Sequence, residues 1–388
     1  MSKRRGHGEG SIYRRNDGMW VAELYLGKDE TGKKQTWKCY AKTQKRAAEL
    51  LEKKKAELRN GFPVEPSKQT VGQFLDVWMK DVVKGSVRPS TYQNYVYILR
   101  HAEPLRNIPL VRLNPQAVQR LYRKMHEEGL GRTIKVLHAV LHKAMDQAVK
   151  WGMVPRNIFD AVDTPRVTTK EFRALTPEEA QKFLDAALED RLYALYVLAV
   201  TCGLRFGELL GLRWEDVDLS TRTLTVRNQL QWVPGAGKDG KAEPQLVPPK
   251  TARSRRTIPL PDIAVFALKR HKTEQGKERL RAGDVWQDWG LVFTTEIGTP
   301  LDPSNVRNRS FWPLLEKAGL SRVRFHDLRH TCATLLLAQG VHPKLVQELL
   351  GHNQISVTLD TYSHVIPAMM RETADRMDSL FAAKQKHR

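Results

Sequence analysis

Residues 326–340 read His326-Asp-Leu-Arg-His-Thr-Cys-Ala-Thr-Leu-Leu-Leu-Ala-Gln-Gly340, a pattern that predicts a helix running into the protein interior. His326 and Arg329 are three residues apart, so they share one helix face, and His330 lies near the same face. The three leucines at 335–337 belong to a buried segment, and Gly340 ends it. A His-x-x-Arg pair alone is common, so its meaning depends on the neighbouring segments.

Further reactive side chains lie on both sides of this helix in the sequence. Downstream, Gly351 is a predicted helix cap with His352 directly after it, and Tyr362 follows ten residues later. Upstream, Arg205 follows an apolar helix, and a carboxylate three residues on, Glu208, could hold its guanidinium still. Lys250 is predicted in a turn between two short strands. Taken singly, each has an ordinary structural interpretation.

Together, these residues suit attack by a phenol oxygen on a phosphodiester without a metal. A phenol has a pKa of about 10, so it attacks only when a nearby group accepts its proton. Arginine, histidine and lysine side chains can stabilise the charge that develops on a five-coordinate phosphate. The sequence shows no carboxylate cluster suited to two-metal nuclease chemistry and no phosphate loop ending in Gly-Lys-Ser/Thr, so neither metal nor ATP is expected.

Composition favours a protein that binds a polyanion. The 388 residues carry a formal net charge of +21, which is typical of nucleic-acid binding, with a membrane surface as the weaker alternative. No apolar run approaches the eighteen residues of a membrane span, and no signal peptide is visible. Three widely spaced cysteines indicate neither a disulfide framework nor a zinc site. We therefore expect a cytoplasmic protein of the bacterial cytosol or nucleoid.

The pattern of elements predicts a multidomain, mainly α-helical chain with three domains. Residues 1–62 should form a basic three-stranded sheet with one helix, and residues 68–162 a helical bundle. Residues 170–388 should form a mixed α+β domain that carries the reactive side chains. A small sheet can lay its strands into a DNA groove, whereas a solvated basic surface is the plain alternative. The candidate DNA contacts in the sheet are Arg14, Arg15, Lys33, Lys34 and Lys38.

Five ordered motifs resemble the tyrosine recombinases, specifically the integrases of phages and other mobile elements. They are Gly-Leu-Arg-x-x-Glu at 203–208, Lys-Thr-x-x-Ser-x-Arg-x-Ile-Pro at 250–259, His-Asp-Leu-Arg-His-Thr at 326–331, Leu-Gly-His at 350–352 and Leu-Asp-Thr-Tyr-Ser-His at 359–364. The two upstream segments look like that family's arm-type DNA-binding domain and helical core-binding domain.

The resemblance implies a role for each site residue. Tyr362 would be the nucleophile that forms a 3′-phosphotyrosyl bond, and Arg205 and Arg329 would hold the nonbridging oxygens. Lys250 would be the general acid. His326 would assist proton transfer, His352 would hydrogen-bond the phosphate, and Glu208 would support the pocket.

The same resemblance implies partners and leaves alternatives open. We expect double-stranded DNA attachment sites, a tetramer assembled on DNA, an excisionase, and a host DNA-bending protein. A resolvase, an invertase or a topoisomerase-like strand transferase would use the same chemistry, and a DNA-binding regulator would not cleave DNA at all. The C-terminal segment 365–388 could be an amphipathic helix that packs on a neighbouring protomer or on its own domain.

Overall fold

The computed structural model describes residues 10–28, 32–59, 69–167, 173–233, 242–249 and 254–351. The chain divides into two compact units at residues 169 and 170. The first unit contains both the predicted sheet and the predicted helical bundle, and the second contains the mixed α+β region. The predicted boundary at residues 62–68 lies outside the described residues and stays a prediction.

The N-terminal part of the first unit is an antiparallel sheet covered on one side by a helix. Its elements are β1 (Ser11–Arg14), β2 (Trp20–Lys28), β3 (Lys34–Ala41) and α1 (Gln44–Arg59). The strand order is β1-β2-β3, with a register shift between Tyr25 and Gly27. Alternate residues of the strands, including Ala22 and Leu24, pack with Leu51 of the helix into a small core. The predicted three-stranded sheet with one helix is thus confirmed.

The rest of the first unit is the predicted helical bundle. Its helices are α2 (Val71–Trp78), which continues as a π-helical turn over Met79–Val83, α3 (Pro89–Leu99), α4 (Pro115–Glu127) and α5 (Gly131–Lys150). Asn114 caps α4 ahead of a proline at the first helical position, as its sequence predicts. The buried face of α5 passes through Leu137 and Val140, whereas Val136 is 37% exposed.

The second unit surrounds one large hydrophobic core. Its helices are α6 (Pro177–Ala186), α7 (Tyr193–Thr201), α8 (Phe206–Leu210), α9 (Asp262–Ala282), α10 (Pro303–Val306), α11 (Trp312–Lys317), α12 (Asp327–Ala338) and α13 (Pro343–Leu350). Every residue from Tyr193 to Val200 in α7 is buried, so this helix forms the centre of the core.

Short antiparallel strands lie beside these helices. They are β4 (Val217–Asp218), β5 (Thr223–Val226), β6 (Gln229–Val233), β7 (Glu243–Val247) and β8 (Arg256–Pro259). One sheet has the order β4-β5-β8, and β6 pairs with β7. Residues 286–302, between α9 and α10, form an irregular segment without helix. Gly290 and Gly298 adopt positive φ there, and isolated bridges pair Arg213 with Leu291 and Thr294 with Pro300.

Candidate active site

Arg205 leaves the hydrophobic core at the end of the most buried helix. After α7 ends, Gly203 turns the chain with φ +60°, and Arg205 becomes the N-cap residue of α8. A Cβ at Gly203 would lie 2.6 Å from Leu350 Cδ2, so only glycine fits this turn without displacing its neighbours. The Arg205 side chain is 34% exposed and can therefore meet a ligand from solvent.

Glu208 fixes the backbone and the guanidinium of Arg205 from the buried side of the site. Its Oε2 accepts the backbone N–H of Arg205 at 2.9 Å, and its Oε1 accepts Arg205 Nη1 at 2.7 Å. The Glu208 side chain is only 2% exposed. Burial raises the pKa of this carboxyl, but the charges and hydrogen bonds of Arg256 and Arg205 outweigh burial and lower it to about 2. Glu208 is therefore ionised at neutral pH.

A second arginine, Arg256 at the start of β8, shares the same carboxylate. Its Nη2 donates to Glu208 Oε2 at 2.9 Å and its Nη1 to Oε1 at 3.2 Å. Its Nε donates to the carbonyl oxygen of Leu349 at 2.6 Å, and Nη1 also donates to that of Ser254 at 3.1 Å. Arg256 belongs to the motif at 250–259, but that motif alone indicates no role for it. Its burial has a signal in the sequence. Arg256 lies two residues before Ile258, so both side chains are on the same face of the strand, and Ile258 is buried.

Arg329 enters the site from α12 and is almost fully buried. Its Nη1 donates to the carbonyl oxygen of Gly203 at 2.7 Å, and its Nη2 donates to that of Leu350 at 2.5 Å. The residue is 2% exposed. The first of these bonds spans 126 residues of sequence and joins the turn before Arg205 to α12.

The C-terminal end of α13 gathers all three arginines. The carbonyl oxygens of Leu349, Leu350 and Gly351 accept hydrogen bonds from Arg256, Arg329 and Arg205, respectively.

The last carbonyls of a helix have no partner within the helix and carry the negative end of its dipole, so they attract cations. Gly351 ends α13 in the left-handed conformation, φ 67° and ψ 45°, as predicted. We name these three residues, 349–351, the α13 carbonyl turn.

His326 precedes the first turn of α12 and lies against His330. The helix begins at Asp327, so His326 is its N-cap residue and not an interior helical residue. The two imidazole rings are 4.9 Å apart between centroids and nearly perpendicular. Partial burial, and then the charges of Arg329 and Arg205, lower the pKa of His326. Burial, and then His326, lower the pKa of His330 to about 4.

An aromatic contact joins the segments that carry Arg205 and His326. Phe206 follows the arginine, Phe325 precedes the histidine, and their rings stack with centroids 3.9 Å apart and an interplanar angle of 18°. The structure therefore brings Arg205, Glu208, His326 and Arg329 together, although they come from two distant parts of the sequence.

Three predicted site residues lie outside the described residues: Lys250, His352 and Tyr362. Lys250 precedes Ser254 by four residues, and His352 directly follows the α13 carbonyl turn in the sequence. Their predicted roles stay predictions. Among the described residues, no group of three or more His, Cys, Asp or Glu side chains could hold a metal ion.

The predicted DNA contacts in the N-terminal sheet differ in their surroundings. Arg15 lies with its guanidinium carbon 5.7 Å from the centre of the Tyr40 ring, whereas Lys38 forms an ion pair with Glu23 at 3.3 Å. Hydrogen bonding to Glu23 and its charge raise the pKa of Lys38. Arg14 donates from Nε to the carbonyl oxygen of Gly18 at 3.4 Å. Lys33 and Lys34 are exposed where the chain enters β3.

Three arginines thus meet at a single helix end within a mainly helical α+β unit, and sequence similarity gives the class of the protein: it is a tyrosine recombinase, a DNA strand transferase. Consistent with this, the chain belongs to the phage integrase family, whose sequence pattern matches residues 173–369. The N-terminal SAM-like domain of phage integrases matches residues 70–126. The predicted recombinase class is thereby confirmed.

Relatives of similar length support the assignment. A tyrosine recombinase XerC-like protein of Caldanaerobacter subterraneus subsp. tengcongensis is 34% identical over 376 residues, covering 92% of this chain and 95% of the relative. The Tn1549 transposon integrase, solved with a circular intermediate DNA, has a TM-score of 0.65 at 24% identity, covering 79% of this chain and 99% of that one. A lambda integrase tetramer bound to a Holliday junction has a TM-score of 0.56 at 22% identity, covering 92% and 96%. These two structures show a shared fold.

None of the helices in the described ranges has the length and apolar character that crossing a bilayer requires.

Proposed function

We propose that this integrase cleaves and rejoins DNA through Tyr362, to integrate and excise a phage or another mobile element. The Tyr362 oxygen attacks the scissile phosphate, forms a 3′-phosphotyrosyl bond and releases a 5′-hydroxyl. The released hydroxyl of a partner strand then attacks the phosphotyrosine, so the phosphodiester bond energy is kept. The cycle uses neither ATP nor a metal ion.

The convergence of Arg205 and Arg329 on the α13 carbonyl turn carries this proposal. Both guanidinium groups are held by neighbouring backbone carbonyls, at 3.2 Å for Arg205 and 2.5 Å for Arg329. Guanidinium groups bind phosphate oxygens from two nitrogens at once, which suits the two nonbridging oxygens of a phosphodiester. By analogy with oxyanion holes, each such donor contributes roughly 3–4 kcal/mol to stabilising the transition state.

The remaining roles concern protons. His326 takes up the Tyr362 proton, because its lowered pKa keeps the imidazole neutral near pH 7 and able to accept a hydrogen bond. Lys250 protonates the leaving 5′-oxygen, and His352 donates a hydrogen bond to the phosphate. Glu208 fixes the direction of the Arg205 guanidinium from the buried side.

Double-stranded attachment-site DNA is the proposed partner, held by three domains. The net charge of +21 supports extensive backbone contact. Residues 1–62 would bind arm-type sites through Arg14, Arg15, Lys33, Lys34 and Lys38, and residues 68–162 would bind the core site together with the catalytic domain, 170–388. The lambda integrase tetramer supports four protomers on DNA. An excisionase and a host DNA-bending protein are further proposed partners, in the bacterial cytosol or nucleoid.

A trapping assay tests the chemistry. A duplex spanning the attachment core, identified from the repeat that flanks the integrated element, is nicked a few nucleotides to the 3′ side of the scissile phosphate. The short fragment that carries the released 5′-hydroxyl then diffuses away after cleavage and cannot rejoin. The wild-type chain should accumulate a covalent protein–DNA adduct, and Tyr362→Phe should form none. Absence of an adduct with the wild-type chain would refute the recombinase mechanism, and an adduct with the variant would refute only Tyr362 as nucleophile.

A resolvase, an invertase or a topoisomerase-like strand transferase is the second candidate, since these would use the same chemistry without arm sites. Linking two DNA-binding modules raises the effective concentration at the second site, which favours an integrase that bridges two kinds of site. Deleting residues 1–62 separates the two. Recombination between core-only sites should persist in a resolvase-type enzyme and fail in an arm-dependent integrase.

A further inference from the structure

Arg256 is a buried arginine whose three guanidinium nitrogens all donate hydrogen bonds within the site. Only 7% of its side chain is exposed. Its acceptors are both oxygens of Glu208 and the carbonyl oxygens of Ser254 and Leu349. These four hydrogen bonds match four of the five N–H donors of a guanidinium, so Arg256 is poorly placed to contact a substrate phosphate itself.

Arg205 stands in contrast to Arg256, although both share the Glu208 carboxylate. Its side chain is 34% exposed, and its hydrogen bond to the carbonyl oxygen of Gly351, at 3.2 Å, is longer than those of Arg256 to Leu349 and Arg329 to Leu350. The Glu208 carboxylate carries one negative charge, and Arg205 and Arg256 carry two positive charges, so the three side chains together keep a net positive charge. The exposed Arg205 guanidinium presents that charge to solvent. Removing Arg256 would leave the Glu208 carboxylate paired with Arg205 alone, so its negative charge would offset the positive charge that the exposed guanidinium presents.

Arg256 also fixes the backbone next to the acceptor of Arg205. It holds Leu349, two residues before Gly351, within the same α13 carbonyl turn. Arg256 therefore bonds to the same two parts of the site that orient Arg205: the buried Glu208 carboxylate and the α13 carbonyl turn.

We propose that Arg256 is a positioning residue for DNA cleavage: acting through Glu208 and the α13 carbonyl turn, it keeps the positive charge of the Arg205 guanidinium from being offset by Glu208 and directs it toward the scissile phosphate. The inference rests on the proposed function of the site. It assigns Arg256 no contact with DNA.

The test asks whether the slowing of cleavage caused by replacing Arg256 depends on the charge of the scissile phosphate. Single-turnover cleavage is followed at saturating DNA, on a nicked duplex with either the normal phosphate or a neutral methylphosphonate at the scissile position. A neutral phosphate needs less charge stabilisation, so a variant with a defective Arg205 should lose less on it. The variants are Arg256→Gln and Arg256→Lys, with Arg205→Gln as the benchmark.

A matched control is available in the same unit. Arg191 forms a two-nitrogen ion pair with Glu278 and donates to the carbonyl oxygen of Thr294, so Arg191→Gln removes a comparable set of contacts outside the site. By analogy with the outer-shell partners of metal ligands, we expect Arg256→Gln to slow cleavage of the normal phosphate about 10- to 100-fold. On the methylphosphonate, the cleavage rate of Arg256→Gln should fall no more than a few-fold below that of the wild type, and so should the rate of Arg205→Gln. Arg256→Lys should fall between, and Arg191→Gln should match the wild type on both substrates.

Each outcome decides the question. Equal loss on both substrates would show a purely structural role and overturn the inference, and so would cleavage by Arg256→Gln equal to that by Arg191→Gln. If thermal unfolding shows that Arg256→Gln is not folded, Arg256→Lys is judged instead by the ratio of its rate losses on the two substrates. Failure of the wild-type chain to form any adduct would instead refute the proposed function, which keeps the two failures distinct.

Discussion

The carboxylate of Glu208 accepts two hydrogen bonds from Arg205, one from its backbone N–H and one from its guanidinium. The residues are three positions apart at the start of a five-residue helix, so backbone and side chain of the arginine are fixed by a single group. Such an arrangement leaves the outer edge of the guanidinium as the part able to meet a ligand. It also makes the buried carboxylate essential to the stability of the site.

Replacing Glu208 by alanine should destabilise the catalytic unit by about 3–5 kcal/mol, because it leaves Arg256 as a buried charge without its partner. Urea unfolding of the wild type and the variant measures this change. Glu215→Ala is the control, since Glu215 is 56% exposed in its pairing with Arg213, and it should cost about 0–1 kcal/mol. Equal losses in the two variants would contradict a shared buried carboxylate.

Substitution of Gly203 by alanine should destabilise the protein by about 1–3 kcal/mol. The residue has a positive φ, and its new Cβ would lie 2.6 Å from Leu350 Cδ2 and 3.2 Å from Cys332 Sγ. Gly276→Ala in α9 is the opposite case, because nothing lies within 4 Å of its Cβ position and its φ is ordinary. That variant should be stabilised by roughly 0.5–1 kcal/mol. Thermal unfolding of both checks the pair, and a stable Gly203→Ala would refute the close packing.

The stability of the catalytic unit should fall as the pH drops from about 6.5 toward 4. The pKa of His330 is about 4 in the folded protein, below the ordinary 6.5, so the unfolded chain binds its proton first and stability is lost across that window. Glu208, with a pKa of about 2, stays ionised throughout. The measurement is the urea midpoint against pH for the wild type and His330→Gln, which have their other titrating groups in common. Parallel curves would rule out the effect of His330.

In the N-terminal sheet, Lys34→Gln should weaken the salt dependence of binding to nonspecific duplex DNA. Removing one lysine–phosphate interaction makes the slope of log affinity against log salt shallower by about 0.9. Glu23→Gln should change the slope in the other direction, because it frees Lys38 from its ion pair. Binding isotherms of the full chain between low and moderate salt test both, and an unchanged slope for Lys34→Gln would remove it from the proposed DNA-binding residues.

Elements with local signals could be predicted from the sequence. The Thr-x-x-Glu pattern at Thr176 and Glu179 indicates a capping box, which the structure contains; Pro177 begins α6, and Gly351 ends α13 in the left-handed conformation. These features depend on residues within four positions of one another, where side-chain chemistry and backbone geometry are closely linked. The order of the three-stranded sheet follows from short turns in the same way.

Contacts between distant segments could not be predicted. Arg256 bonds to Glu208 across 48 residues and to Leu349 across 93, and no local pattern determines which carboxylate or carbonyl a strand arginine will meet. The sequence predicts His326 within a helix, yet the helix begins one residue later, because the carboxylate of Asp327 accepts the backbone N–H of Arg324 at 2.8 Å and both side chains pair there. Such details depend on packing rather than periodicity.

The α13 carbonyl turn has a mechanical consequence for the chain that follows it. Three acceptors lie within one turn, and the segment leading to Tyr362 begins at the next residue. Fraying of the last turn of the helix would remove one hydrogen-bond acceptor from each of three guanidinium groups at once. Under the proposed mechanism, the orientation of the arginines therefore depends on the helix end from which the chain continues toward Tyr362.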